Sequence, residues 1–244
     1  ITLPQILSTL SFLGSTRRAS GTTFFEATGL SLHPARIVEI FVSGFLGDIS
    51  NRLEYLGFYM NRVGEGWTVS PWSDSVYIGS IALVFLIYCA VGWRTRSNKR
   101  QIAVAWIGLA SLLLALGQFT PFFYIYHKFF PLAHLFRYPE KLFSITNFTA
   151  ALLSAWGVSR WLDAPREDGA RVGVLGRTWI VITGTIVVTA LLSPCLADNF
   201  ASKQSWISPQ KAFQIVRDGC VLELTVLVLF GLVLYSISRY RPRW

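Results

Sequence analysis

Long, nearly uncharged apolar runs, separated by knots of arginine and lysine, constrain this chain more than any other feature. The runs at 76–93, 101–117, 142–162, 177–194 and 219–238 carry at most one charge each. About 20 such residues wound as a helix cross a hydrocarbon core of ~30 Å. Across the chain 52% of residues are hydrophobic and 14% charged, and the mean hydropathy is +0.47. A soluble domain of 244 residues could not cover that much apolar surface with polar side chains. The expected fold is all-α: a polytopic transmembrane helical bundle, one domain over 1–244, with five complete spans. Residues 1–13 read as the outer end of a sixth, kinked at Pro4 as membrane helices tolerate.

The cations set the orientation. Arg94, Arg96, Lys99 and Arg100 stand together without an acid. Arg160, Arg166, Arg171 and Arg177 outnumber Asp163, Glu167 and Asp168, and Arg239, Arg241 and Arg243 close the chain. Cytoplasmic loops carry such excesses, and one orientation satisfies all three, leaving 14–74, 118–141 and 195–218 outside. The net charge of +9 therefore belongs to membrane loops and not to a basic arm, so no nucleic-acid partner is expected. The sequence opens at Ile1 with neither an initiator Met nor a charged region ahead of an apolar core, and reads as part of a longer polypeptide.

The outer region, 14–75, is predicted to carry short interfacial helices. One starts at Pro34, with Ser31 as a cap and Ile37, Ile40 and Phe41 on a common face, lying along the membrane surface together with Trp67 and Trp72. Ser73 and Asp74 are expected to cap the first complete span. Thr120-Pro121 reads as the cap and first residue of another short helix, aromatic nearly all round and too short to span. In the following run, Ser144, Asn147, Ala151 and Ser154 recur at three- and four-residue spacing, a stripe suited to facing other helices or a cavity. Cys89, Cys195 and Cys220 lack metal-site spacing. Cys195 and Cys220 fall near one outer surface and could pair, although small apolar packing is the commoner use.

The densest polar chemistry lies at 131–141, where two prolines, His134, Arg137, Glu140 and Lys141 precede an apolar run. Arg and Lys can simply snorkel there, with Glu140 favouring the positive end of the helix. A guanidinium and an ammonium backed by a helix N-terminus also suit a phosphate on a lipid. The string Phe136-Arg-Tyr-Pro-Glu-Lys141 is preceded by Leu116-Gly-Gln-Phe-Thr-Pro121, and upstream lie Ser31-Leu-His-Pro-Ala-Arg36, Phe45-Leu-Gly-Asp48 and Ser75-Val-Tyr-Ile-Gly79. In that order they resemble the later half of YfhO-like bacterial membrane proteins, which are related to the GT-C class of lipid-linked-sugar glycosyltransferases. The resemblance covers most of residues 20–162.

The resemblance implies a multi-pass protein of the bacterial inner membrane. It would move a sugar from a polyprenyl-phosphate donor to an envelope glycan or lipid acceptor on the outer face. Arg137 and Lys141 would meet the donor phosphate, with Glu140 positioning them and His134 alongside; the catalytic acid would lie upstream of this sequence. Asp48 and Asp74 could deprotonate an acceptor or help hold a divalent cation, although a turn residue and a helix cap are the commoner roles. His33 could orient a phosphate or relay a proton, although a lone loop histidine commonly does neither, and Arg36 is a further candidate. Glu223, inside the last run, is a functional candidate by position, or a partner for Arg217. No metal-ligand set is evident. A lipid or glycolipid flippase and a non-catalytic membrane scaffold fit the same features.

Overall fold

The computed structural model of the protein describes residues 7–8, 11–12, 22–48, 55–57, 62–63, 67–68, 71–92, 98–130, 133, 136–163, 169–202 and 207–240. His134, Pro4, Arg94, Arg96, Arg166 and Trp206 lie outside the described residues. The architecture is helical: α1 (Phe24–Ala27), α2 (Ser80–Val91), α3 (Lys99–Ala115), α4 (Pro121–Phe129), α5 (Phe143–Leu162), α6 (Gly169–Leu191), α7 (Ser193–Ser202) and α8 (Pro209–Tyr240). Arg62–Val63 and Trp67–Thr68 form a minimal antiparallel ladder.

Among the described residues two helices are long and apolar enough to cross a membrane: Pro139–Leu162, in which a 3₁₀ turn runs into α5, and Pro209–Ser236 within α8. The pair Leu175–Leu191 and Ser193–Asn199, bent by 55°, makes a third if it is one span. Pro194 explains the bend, because it has no N–H to continue the ladder. Among the described residues these helices account for two or three of the five expected spans. The run at 76–93 yields only the 12 residues of α2, about 18 Å. Gly79 holds a left-handed φ of 103°, and the Tyr77 hydroxyl accepts from Ser80 N at 2.9 Å, so the chain enters the helix late. That phenol replaces the Ser73–Asp74 cap expected from sequence. The run at 101–117 helicises from Lys99, capped by the Asn98 side chain on Arg100 N at 3.1 Å, and stops at Ala115.

α5 is the hub, packing against both α2 and α3, while α8 packs on α6 and α7. Its buried polar and small residues are Thr146, Thr149, Ala150, Ser154 and Gly157. Of the expected stripe only Ser154 is among them; Ser144 and Ala151 are exposed and Asn147 is half-buried. Thr146 meets Ser111 of α3 at 2.8 Å, and Ser154 donates to Ala82 O of α2 at 2.7 Å. A Cβ on Gly157 would sit 2.2 Å from Phe85 O, so only glycine lets the two backbones approach here. Large apolar side chains such as Trp106, Val181, Leu191 and Leu232 face outward, as lipid contact would allow. Cys195 and Cys220 are not joined in a disulfide, so the pairing considered for them is absent.

The segment from Pro34 forms a 3₁₀ helix, Pro34–Ile40, capped by His33, whose Nδ1 accepts from Ala35 N at 3.1 Å. Ser31 is not its cap. Residues three apart eclipse in a 3₁₀ helix, so Arg36 and Glu39 share one face, and that face points inward: both are buried, whereas of the expected apolar face Ile40 is buried and Ile37 and Phe41 are only half-buried. A surface-lying amphipathic helix would have the opposite polarity.

Candidate functional site

Gly117 marks the point where three distant stretches close on one another. Its φ is +50°, and an added Cβ would fall 2.0 Å from Ser31 Oγ and 2.9 Å from Pro139 Cγ. Ser31 donates to Thr28 O at 2.7 Å and accepts from Gln118 N at 3.1 Å. Backbone bonds finish the junction: Leu32 N to Ala115 O at 2.9 Å, Tyr138 N to Ala27 O at 3.0 Å and Glu140 N to Leu30 O at 3.2 Å. The strings at 31–36, 116–121 and 136–141, far apart in sequence, are thus one structural unit.

A buried ion cluster lies at its centre. Arg36 is fully buried, and Glu39 and Glu140 nearly so. Arg36 Nε donates to Glu39 Oε2 at 2.9 Å, one terminal nitrogen pairs with Glu140 Oε1, and the other donates to Ser73 O at 3.1 Å. Glu140 also accepts from Trp72 N at 2.8 Å and from the Ser73 hydroxyl at 2.9 Å. Each of the three guanidinium nitrogens and both carboxylate oxygens of Glu140 are therefore engaged, which lowers the cost of burying the charge. Burial works against the charged form of Arg36, but the Tyr55 phenol and the Glu39 and Glu140 carboxylates outweigh it and hold its pKa above the ordinary value. Burial pushes the Glu39 carboxyl above its usual range, against the pull of Arg36. Two carboxylates share one guanidinium.

Arg36 and Glu140 are thus internal braces, and Glu140 turns away from the two cations it was expected to position. Those cations lie at the edge of the brace. Lys141 is exposed, with Nζ 3.9 Å from the centre of the Trp72 ring and 5.1 Å from that of Tyr138. Trp72 and Tyr138 are stacked, 5.4 Å apart at 18°. Arg137 is half-buried, and its Nε, shut off from solvent, has no hydrogen-bond partner among the described residues. Its charge reaches Glu26, whose carboxyl is held below the ordinary range chiefly by hydrogen bonds from Thr23 and also by Arg137. Tyr138, between the two cations, has φ +66°, the one positive φ outside glycine among the described residues.

The other candidates are scattered. His33 caps the 3₁₀ helix and sets its ring edge-on to Phe119 at 4.9 Å. Asp48 and Asp74 are exposed. Glu223 is buried in α8, accepting from Tyr77 OH at 2.8 Å and Ser43 N at 3.3 Å; Arg217 pairs with Asp218 instead. No group of three or more His, Cys, Asp or Glu side chains suited to a metal occurs among the described residues. Comparison with protein-family models, curated proteins and solved structures finds no match to this chain. Residue chemistry alone must carry the functional reading.

Sequence reasoning did not foresee Glu39, Ser73 or the Trp72–Tyr138 stack. Glu39 had a usable signal, three residues after Arg36 behind a proline. Ser73 and Trp72 had none, because their partner is Glu140, 67 and 68 residues away.

Proposed function

We propose that this chain binds a polyprenyl-phosphate-linked sugar at the outer face of a bacterial inner membrane, as part of a multi-pass glycosyltransferase of the lipid-linked-sugar type. One observation carries the reading: with Glu140 committed to Arg36, neither Arg137, which meets Glu26 only through its field, nor Lys141 forms an ion pair among the described residues, and both stand at the foot of an apolar helix, Pro139–Leu162. A partly dehydrated guanidinium and an exposed ammonium at that depth attract a lipid phosphate, and the rigid brace beneath them fixes their spacing. The transport alternative is not favoured by α5, whose buried Thr146 and Ser154 bond to α3 and α2.

The test uses the longest natural form of the protein in lipid nanodiscs. Polyprenyl phosphate should bind, and Arg137→Ala and Lys141→Ala should each weaken it by about tenfold, the loss of one charge-assisted hydrogen bond of about 1.5 kcal/mol. Labelled sugar should pass from the carrier to an acceptor and fall with the same variants. Unchanged affinity in the double variant would remove the proposal.

A further inference from the structure

We infer that α4 is an interfacial anchor, lying along the border of the bilayer with Phe122, Ile125 and Phe129 among the acyl chains and Lys128 at the lipid phosphates. The inference goes beyond the carrier reading and does not depend on it, because the ligand is the ordinary phospholipid of the membrane. The nine residues Pro121–Phe129 make a helix about 14 Å long, too short to span. Phe24 of α1 holds one side of it: the centre of its ring is 6.3 Å from that of Phe123, 5.5 Å from Tyr124 and 5.8 Å from His127. At about 100° per residue, Phe122, Ile125 and Phe129 fall together on the opposite side. They are 48%, 50% and 73% exposed. This polarity is the reverse of that of a helix facing water, since the imidazole turns to the protein and the apolar side chains turn away from it.

Position and charge select the occupant. The chain leaves α4 through two successive turns, Ala133 N to Phe130 O at 3.1 Å and Phe136 N to Ala133 O at 3.0 Å. Phe130 and Phe136 are exposed as well, and three residues later begins Pro139–Leu162, long and apolar enough to cross a membrane. Exposed rings at the end of such a helix stand where headgroups meet acyl chains. Lys128 holds Nζ 5.9 Å from the centre of the Tyr124 ring and 5.6 Å from that of Phe129. Its stem thus follows the apolar side and its ammonium reaches the edge, as a lysine does when it snorkels to headgroups. From Leu116 to Lys141 the sequence has one acid, Glu140, which is buried against Arg36. The charge this stretch presents is therefore positive, and a bilayer border supplies hydrocarbon for the rings and phosphate for the ammonium together.

The experiment attaches a nitroxide to α4 in the whole chain, embedded in nanodiscs of phosphatidylethanolamine and phosphatidylglycerol. Exposed Cys195 is replaced by serine, while Cys89 and Cys220, which are buried, stay in place. Phe122→Cys, Tyr124→Cys, Ile125→Cys, Lys128→Cys and Phe129→Cys are then labelled one at a time, each at an exposed position. Relaxation of the label by oxygen, which concentrates in hydrocarbon, is compared with relaxation by a water-soluble nickel chelate. The oxygen-to-nickel ratio should be highest at positions 122, 125 and 129 and should fall at 124 and 128. A low ratio all round the helix puts α4 in water and overturns the inference. A high ratio all round sinks Lys128 into hydrocarbon and overturns the border placement. Exclusion of both reagents from 122, 125 and 129 means that protein, a second copy or another segment, covers the apolar side, and lipid does not.

Discussion

Replacing Arg36 by Met should unsettle this protein more than any other single change in the outer region. The substitution keeps much of the side-chain length but removes bonds to Glu39, Glu140 and Ser73 O together. Two buried carboxylates are then left facing each other without a cation. Removing one partner of a buried pair costs about 3–5 kcal/mol, which for a chain of this size lowers Tm by about 6–20 °C. Glu140→Gln alone should cost less, about 1–3 kcal/mol, because Arg36 keeps Glu39 and the amide oxygen can still accept from Trp72 N. The informative species is the double variant. Once Arg36 is gone the charge on Glu140 is a liability, so Glu140→Gln should raise the Tm of Arg36→Met, reversing its sign in the wild-type background. Thermal unfolding of the four proteins in one detergent reads this directly. If Glu140→Gln lowers Tm equally in both backgrounds, the two side chains do not share a buried field and the brace is misassigned.

Three further outcomes follow from the same geometry. Glu39 has a raised pKa in the folded protein, so its favourable contribution is complete below the ordinary carboxyl range and is lost as pH rises through the folded value; across that window the Tm of Glu39→Gln should gain on that of wild type and then level off, and a constant gap would contradict it. Gly117→Ala must hold a Cβ at φ +50° and 2.0 Å from Ser31 Oγ; it should lose at least the ~1–2 kcal/mol of a left-handed residue, and an unshifted melting curve would show that the junction is loose. Glu223→Leu leaves Tyr77 OH and Ser43 N without their acceptor, at about 1–3 kcal/mol each, whereas Glu223→Gln should melt within a few degrees of wild type; equal losses would point to a role for the charge itself.

Local signals in the sequence translated well into helices. Thr120-Pro121 begins α4, and the run from Leu142 becomes α5 within a residue, because a proline at the first helical turn and an unbroken apolar run act where they stand. Length proved harder to read. The run at 76–93 is as apolar as any, yet Gly79 and the Tyr77–Ser80 bond delay its helix by several residues. Facing was harder still: Ser144 and Asn147 have the right spacing, but α2 and α3 approach α5 along Thr146, Ser154 and Gly157. At the candidate site, Arg137 and Lys141 could be picked out because cations before an apolar run are conspicuous. The inward turn of Glu140 could not, since its partner Arg36 sits 104 residues earlier and no local pattern links them.

That separation has a consequence for synthesis. Arg36 leaves the ribosome long before Glu140 exists, and α2 to α4 must be made in the interval. Until then its guanidinium needs water, as does Glu39, so the stretch around Pro34 must wait unsettled. The arrival of Glu140 is the signal for it to close. A stalled chain ending before residue 140 should therefore leave this stretch open to protease, and one extended past α5 should protect it.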